Sequence, residues 1–199
     1  MACDPRHGQA MALAWSALDG MEPRELSRLS GASLSGNELI VPALRFEISV
    51  DMADRTVTTP PELCGAWGLM TLHYLKGCAT WKKDEEWTSF DQLPDARPFA
   101  QAFRQRAVVP LAARFGGDPR ELVRAGRRIG GRPLGMGDAG VVLKAFPRLT
   151  MAMVVWMGDA EVPPGANVLF DRGGAGTLPA EDLAELGISI AGMLVSTDR

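Results

Sequence analysis

The chain has 199 residues, 46% of them hydrophobic and 23% charged, with a formal net charge of −3 and a pI near 5.5. That balance excludes a disordered chain, and a chain of this length buries roughly 70% of its unfolded surface, so it folds without disulfides or a structural metal. The slight acidic excess gives no bulk attraction to nucleic acid or to an anionic membrane, so neither is expected as a partner.

Cysteine usage points the same way. Cys3, Cys64 and Cys78 are odd in number, widely spaced, and form no C-x-x-C pair. Free thiols in a reducing, cytoplasmic compartment are expected. No apolar stretch reaches the length of a signal or a membrane span.

In chain order, Met11, Trp15 and Leu18 fall at helical spacing after a loose start over residues 1–12, and a short helix with Pro23 in its first turn faces Leu26 and Leu29 inward. Ser30–Asn37 reads as a loop. Glu38–Leu44, Arg45–Asp51 and Arg55–Thr59 read as a small antiparallel meander, because Phe46, Ile48 and Val50 alternate with Glu47 and Ser49. A helix capped by Thr59 and opened by Pro60-Pro61 is expected to carry Leu63, Trp67, Met70 and Tyr74 on one stripe and to stop near Gly77. Residues 79–97 read as a polar loop holding Trp81, Trp87 and Phe90. A long helix follows over residues 98–115, with Pro110 predicted to kink it. Asp118-Pro119-Arg120-Glu121 starts the next helix, which ends at Gly130-Gly131. Gly140–Phe146 and Met151–Met157 are nearly all apolar and are expected mid-sheet, joined through residues 147–150. A strand over Asn167–Phe170 and a final helix from Leu178-Pro179, burying Leu183, Leu186, Ile190 and Leu194, complete the pattern. The expected fold is α+β: a mostly antiparallel sheet with helices packed mainly on one face, residues 1–37 forming a helical lead-in and 38–199 a single domain.

Several side-chain groupings carry chemistry. In the hairpin of the two apolar strands, residues whose numbers sum to about 297 should face each other, setting Asp138 against Asp159 with Glu161 beside them. Three carboxylates there would suit a hard metal or acid/base work; the alternative is a pair of turn-capping aspartates beside Gly137 and Gly158. Arg120, Arg124, Arg127 and Arg128 fall at i, i+4, i+7 and i+8 on one helix, a stripe able to hold an anion or simply a solvated face. His73 lies five residues before Cys78; it suits a metal ligand or a half-buried, hydrogen-bonded histidine. The aromatic loop can stack a planar ligand or tuck its rings into the core. Gly173–Gly176 resembles a phosphate-cradling turn without its lysine or glycine order.

Three stretches together resemble a known family: Leu69-Met-Thr-Leu-His-Tyr-Leu75; Trp87-Thr-Ser-Phe-Asp-Gln-Leu-Pro94 with Phe99 and Phe103; and Phe146-Pro147 running to Trp156-Met-Gly-Asp-Ala-Glu161 and Leu169-Phe-Asp171. The family is the uncharacterised domain-of-unknown-function family numbered 3786, of mainly anaerobic bacteria and archaea, and the similarity spans residues 38–195. The resemblance implies a shared fold and shared positions at His73, Tyr74, Trp87, Asp159, Glu161 and Asp171. It supplies no reaction. Some relatives carry a Cys-rich iron–sulfur segment, which this chain lacks, and Glu161-Val162-Pro163-Pro164 departs from the family's acidic, Phe-bearing stretch. The leading functional expectation is a small-molecule or cofactor-binding module, its pocket set between the His73 helix, the Trp87 loop and the Asp159–Glu161 turn, with the cofactor itself unknown. A metal-dependent enzyme using Asp138, Asp159 and Glu161, or an accessory domain that binds a protein partner, are the alternatives.

Overall fold

The structure, a computed structural model, describes residues 5–63 and 65–196. Cys3 and Cys64 lie outside the described residues; Cys78 is a free, buried thiol. The chain forms two antiparallel sheets, of four and five strands, in an α+β arrangement.

The chain opens with α1 (Pro5–Ala17), which buries Trp15, and α2 (Pro23–Ser30), which buries Leu26. The first sheet is a meander of β1 (Ser33–Ser35), β2 (Glu38–Ala43), β3 (Phe46–Asp51) and β4 (Thr56–Thr58), paired in sequence order. The period-2 pattern is visible in burial: Leu39, Val41 and Ala43 of β2 and Ile48 and Val50 of β3 are fully buried, while their neighbours face outward. The expected loop over residues 30–37 contains β1, whose three residues are too few to show a period.

Helix α3 (Trp67–Gly77) begins seven residues later than the Pro60-Pro61 pair predicts. Gly65 takes a left-handed φ of 76°, which a right-handed helix cannot include, so residues 60–66 form turns. Leu63 is buried all the same. Within the expected loop of residues 79–97, Trp87–Ser89 forms β5, and Phe90 turns inward to stack on Phe103, ring centroids 4.1 Å apart. The long helix is α4 (Ala100–Phe103), a π turn (Arg104–Val108) and α5 (Val109–Phe115). Pro110 has no N–H to offer the carbonyl one turn back, and the expected kink takes the form of this widened turn just before it.

The second sheet follows α6 (Arg120–Arg128). It consists of β6 (Arg132–Leu134), β7 (Ala139–Phe146), β8 (Leu149–Trp156) and β9 (Gly165–Asp171), with β5 added at its edge, in the order β5-β9-β8-β7-β6. The chain then forms α7 (Arg172–Ala175) and α8 (Ala180–Ser196). Strand β8 is central, as its composition predicts. Met151, Met153 and Val155 on one face and Ala152 and Val154 on the other are all 0% exposed. The first set meets the helical layer of α5, α6 and α8, whose stripe Leu183, Leu186, Ile190 and Leu194 is buried. Helix α6 approaches closely because Gly126 faces β7; a Cβ there would stand 2.3 Å from Val141 Cγ2.

The β7–β8 register differs from the expected one. Ala139 pairs with Val155, three residues short of Gly158, because the hairpin turns tightly at Pro147-Arg148 and Leu149 already belongs to β8, opposite Phe146. Strand β8 ends at Trp156, so Asp159 is not set opposite Asp138. Trp156 and Met157, expected within the strand, are 44% and 53% exposed at and beyond its end.

Replacing Val154 with Asp forces a carboxylate into a fully buried site on the central strand. The expected result is a loss of more than about 3 kcal/mol and a fall in Tm of roughly 10 °C, measured by circular dichroism melting against the parent chain. An unchanged Tm would contradict the placement of β8.

Candidate functional site

Strand alternation puts Trp87, Asp171, Thr150 and Lys144 in one row across β5, β9, β8 and β7, on the sheet face away from the helical layer. The pairings Trp87–Asp171 and Lys144–Thr150 fix two links of the row, and the Asp171 carboxylate accepting the Thr150 backbone N–H fixes the third. At about 4.8 Å per strand, the row extends over roughly 14 Å. The loop after α3 and the Pro147-Arg148 turn raise walls beside it, enclosing a cleft of about 440 Å³ between Trp81, Trp87, Lys144, Arg148, Thr150 and Asp171. That is the size of an ordinary small-molecule site.

Each wall has an identifiable support. The Arg148 guanidinium lies 4.6 Å over the Trp81 ring and donates from Nε to the Leu29 carbonyl at 3.0 Å, so arginine and indole form one fixed slab. Asp171 caps α7 by accepting the Gly174 N–H at 2.6 Å. Burial holds its carboxyl above the usual carboxylate range, against the pull of the Thr150 and Gly174 N–H groups, so Asp171 meets the cleft as a weakened acid. On the near rim, Lys83 pairs with Glu85 at 3.1 Å, and Asp84 lies 3.5 Å from Arg172. Two donors remain over. Lys144 is exposed and makes no ion pair among the described residues. The indole Nε1 of Trp81 is buried without a hydrogen-bond partner.

The residues singled out from sequence distribute as follows. Trp87 and Asp171 line this cleft. Tyr74 does not: it is 0% exposed, stacks on Phe146 at 4.5 Å, donates from its hydroxyl to the Ser30 carbonyl and accepts the Arg148 N–H at 2.9 Å. Asp159 sits in an exposed turn, where its carboxylate accepts the N–H groups of Glu161 and Val162, and those bonds hold its pKa below the ordinary value. Glu161 is exposed beside it, and Asp138 accepts the Met157 N–H at 2.7 Å. Of the expected pocket between the His73 helix, the Trp87 loop and the Asp159–Glu161 turn, Trp87 lines the cleft on the sheet face, while His73, Asp159 and Glu161 do not. No group of three His, Cys, Asp or Glu side chains able to hold a metal is gathered among the described residues. Gly173–Gly176 falls largely within the short α7 rather than in a phosphate-binding loop. Lys144, Arg148 and Thr150 carried no sequence signal, because the register of the β7–β8 hairpin decides what each faces.

Arg120, Arg124 and Arg127 line a second groove, of about 430 Å³, between α6 and the β6–β7 edge. Arg128, the fourth of the stripe, stands outside it; its carbonyl accepts from Arg45 at 2.7 Å. Cys78, five residues after His73, is buried, and burial pushes its thiol pKa up to about 11, so it is an inert thiol at neutral pH. No helix among the described residues is long and apolar enough to cross a membrane.

His73 pairs with Asp182 of α8, Nδ1 to Oδ2 at 2.5 Å, tying α3 to the start of the last helix. The hydrogen bond to Asp182 raises the His73 pKa above 6.5 despite partial burial, with the charges of Asp182 and Glu181 adding to the rise. A raised folded pKa means the pair stabilises fully below about pH 6.5 and loses that contribution as pH climbs through the folded value. Asp182→Asn is expected to flatten the alkaline decline in Tm between about pH 6 and pH 9 while lowering Tm most at about pH 6. Parallel pH-dependent melts of the two proteins test this; a variant that runs parallel to the parent throughout would refute the linkage.

Compared with curated proteins and with solved structures, the chain has no match. A family model does match it, over residues 22–193, from α2 to the last turn of α8 and including every residue of the cleft. The chain belongs to the family described as domain of unknown function DUF3786.

Proposed function

We propose that this protein is a small-molecule-binding module whose ligand lies in the cleft on the open sheet face. The observation that carries the reading is the row of Trp87, Asp171, Thr150 and Lys144 along a cleft of about 440 Å³, with the Lys144 ammonium left without an ion pair among the described residues. Trp87 offers a half-buried ring at one end of the row and Lys144 an unpaired ammonium at the other. A ligand with a flat ring and an acidic group roughly 14 Å away suits that spacing. Between them, Asp171 and Thr150 offer polar atoms for orientation.

The test is a titration of the intact protein with nucleoside monophosphates and aromatic carboxylates, followed by tryptophan fluorescence and by melting temperature. Saturable quenching with a rising Tm is expected for a ligand that binds only the folded state. Trp87→Phe should weaken the response about tenfold, and Lys144→Glu should remove it, both with an unchanged circular dichroism spectrum. Absence of any saturable response across both compound classes would overturn the proposal.

A further inference from the structure

The α6 groove lies apart from the cleft, and its chemistry is different. Arg120, Arg124 and Arg127 follow one stripe of the helix and extend over about 10 Å of its length. All three are exposed, and none makes an ion pair among the described residues. Val123, Pro133 and Leu134 form an apolar floor between α6 and β6. The groove has one carboxylate, Asp138, which accepts the Met157 N–H and makes no ion pair with the three arginines. A row of three guanidiniums without an ion pair among the described residues, facing a single carboxylate, therefore leaves the groove with an excess of positive charge beside an apolar strip, on a molecule whose net charge is −3.

These features define the occupant. Its negative charge must be spread along some 10 Å, which a single phosphate cannot do, and it must bring apolar surface to the floor. A nucleic-acid backbone is selected by a broad basic face, which an acidic molecule with one arginine row does not present. An extended peptide repeats same-side residues every 6.5–7 Å or so, which sets two or three carboxylates against the stripe. We propose that this groove docks a short acidic segment of a partner protein, its carboxylates on Arg120, Arg124 and Arg127 and its apolar side chains on Val123, Pro133 and Leu134. Recognition comes through side chains, because Pro133 removes a backbone donor from β6, the strand beside the groove.

The experiment uses the full chain and a fluorescein-labelled peptide of alternating glutamate and leucine, about eight residues long, read by fluorescence anisotropy at low and at physiological salt. Saturable binding that weakens with salt is expected. Arg124→Gln combined with Arg127→Gln should raise Kd roughly tenfold or more at an unchanged Tm, because both side chains are exposed. Lys144→Glu, in the other cleft, should leave the affinity unaltered, and a lysine–leucine peptide should not bind. Failure of the parent chain to bind the acidic peptide, equal binding by the double variant, or tighter binding of a single-stranded oligonucleotide of similar length would each overturn the proposal.

Discussion

The hydroxyl of Tyr74 is completely buried, and a buried hydroxyl must find partners or cost the fold their absence. It donates to the Ser30 carbonyl at the end of α2 and accepts from the Arg148 backbone in the β7–β8 turn. Three parts of the chain, more than a hundred residues apart at the extremes, are thereby held at one point. The ring adds to the same joint by stacking on Phe146, against which Trp67 packs edge-on at 5.7 Å. Close by, the Leu44 N–H donates to the Lys144 carbonyl at 2.9 Å, bringing the meander to the edge of β7. Because the backbone of Arg148 is fixed here, its guanidinium can be laid across Trp81 and anchored on Leu29. The cleft wall is thus an outward extension of a core interaction.

This arrangement explains why Tyr74 stands out in the sequence without touching a ligand site. Sequence places it on the inner stripe of its helix, which is correct, and the family resemblance groups it with His73, from which its side chain points away. Adjacent residues on a helix point about 100° apart. Tyr74 looks into the core, and His73 turns to Asp182. The carboxylate of Asp171 shows the opposite case: a residue at the end of a legible strand whose structural duties, capping α7 and holding Thr150, are compatible with a place on the cleft surface.

The legible parts of the fold are those where hydrophobicity repeats over several turns or an apolar run is long. Strand β8 and the buried stripe of α8 meet that condition, and so does the alternation in β3. Strands β1, β5 and β6, three residues each, do not. The cleft was only partly legible for a related reason. Trp87 and Asp171 face each other because β5 joins the sheet edge, a pairing between segments over eighty residues apart that no local pattern encodes. A turn of two residues rather than four at Pro147-Arg148 was enough to move every partner on β7 and to separate Asp138 from Asp159.

The short strands have a consequence for the protein's behaviour at high concentration. Both sheets are bounded on each side by a three-residue strand: β1 and β4 in one, β5 and β6 in the other. A sheet margin that brief presents few free amide and carbonyl groups in line, and Pro133 removes one of them. Each margin is a shorter template than the strands of six to eight residues between them, which are rich in Val, Leu and Met. The strand most prone to fibrous stacking, β8, is paired along most of its length on both sides, so its backbone is withheld from other chains by the outline of the sheet rather than by charge.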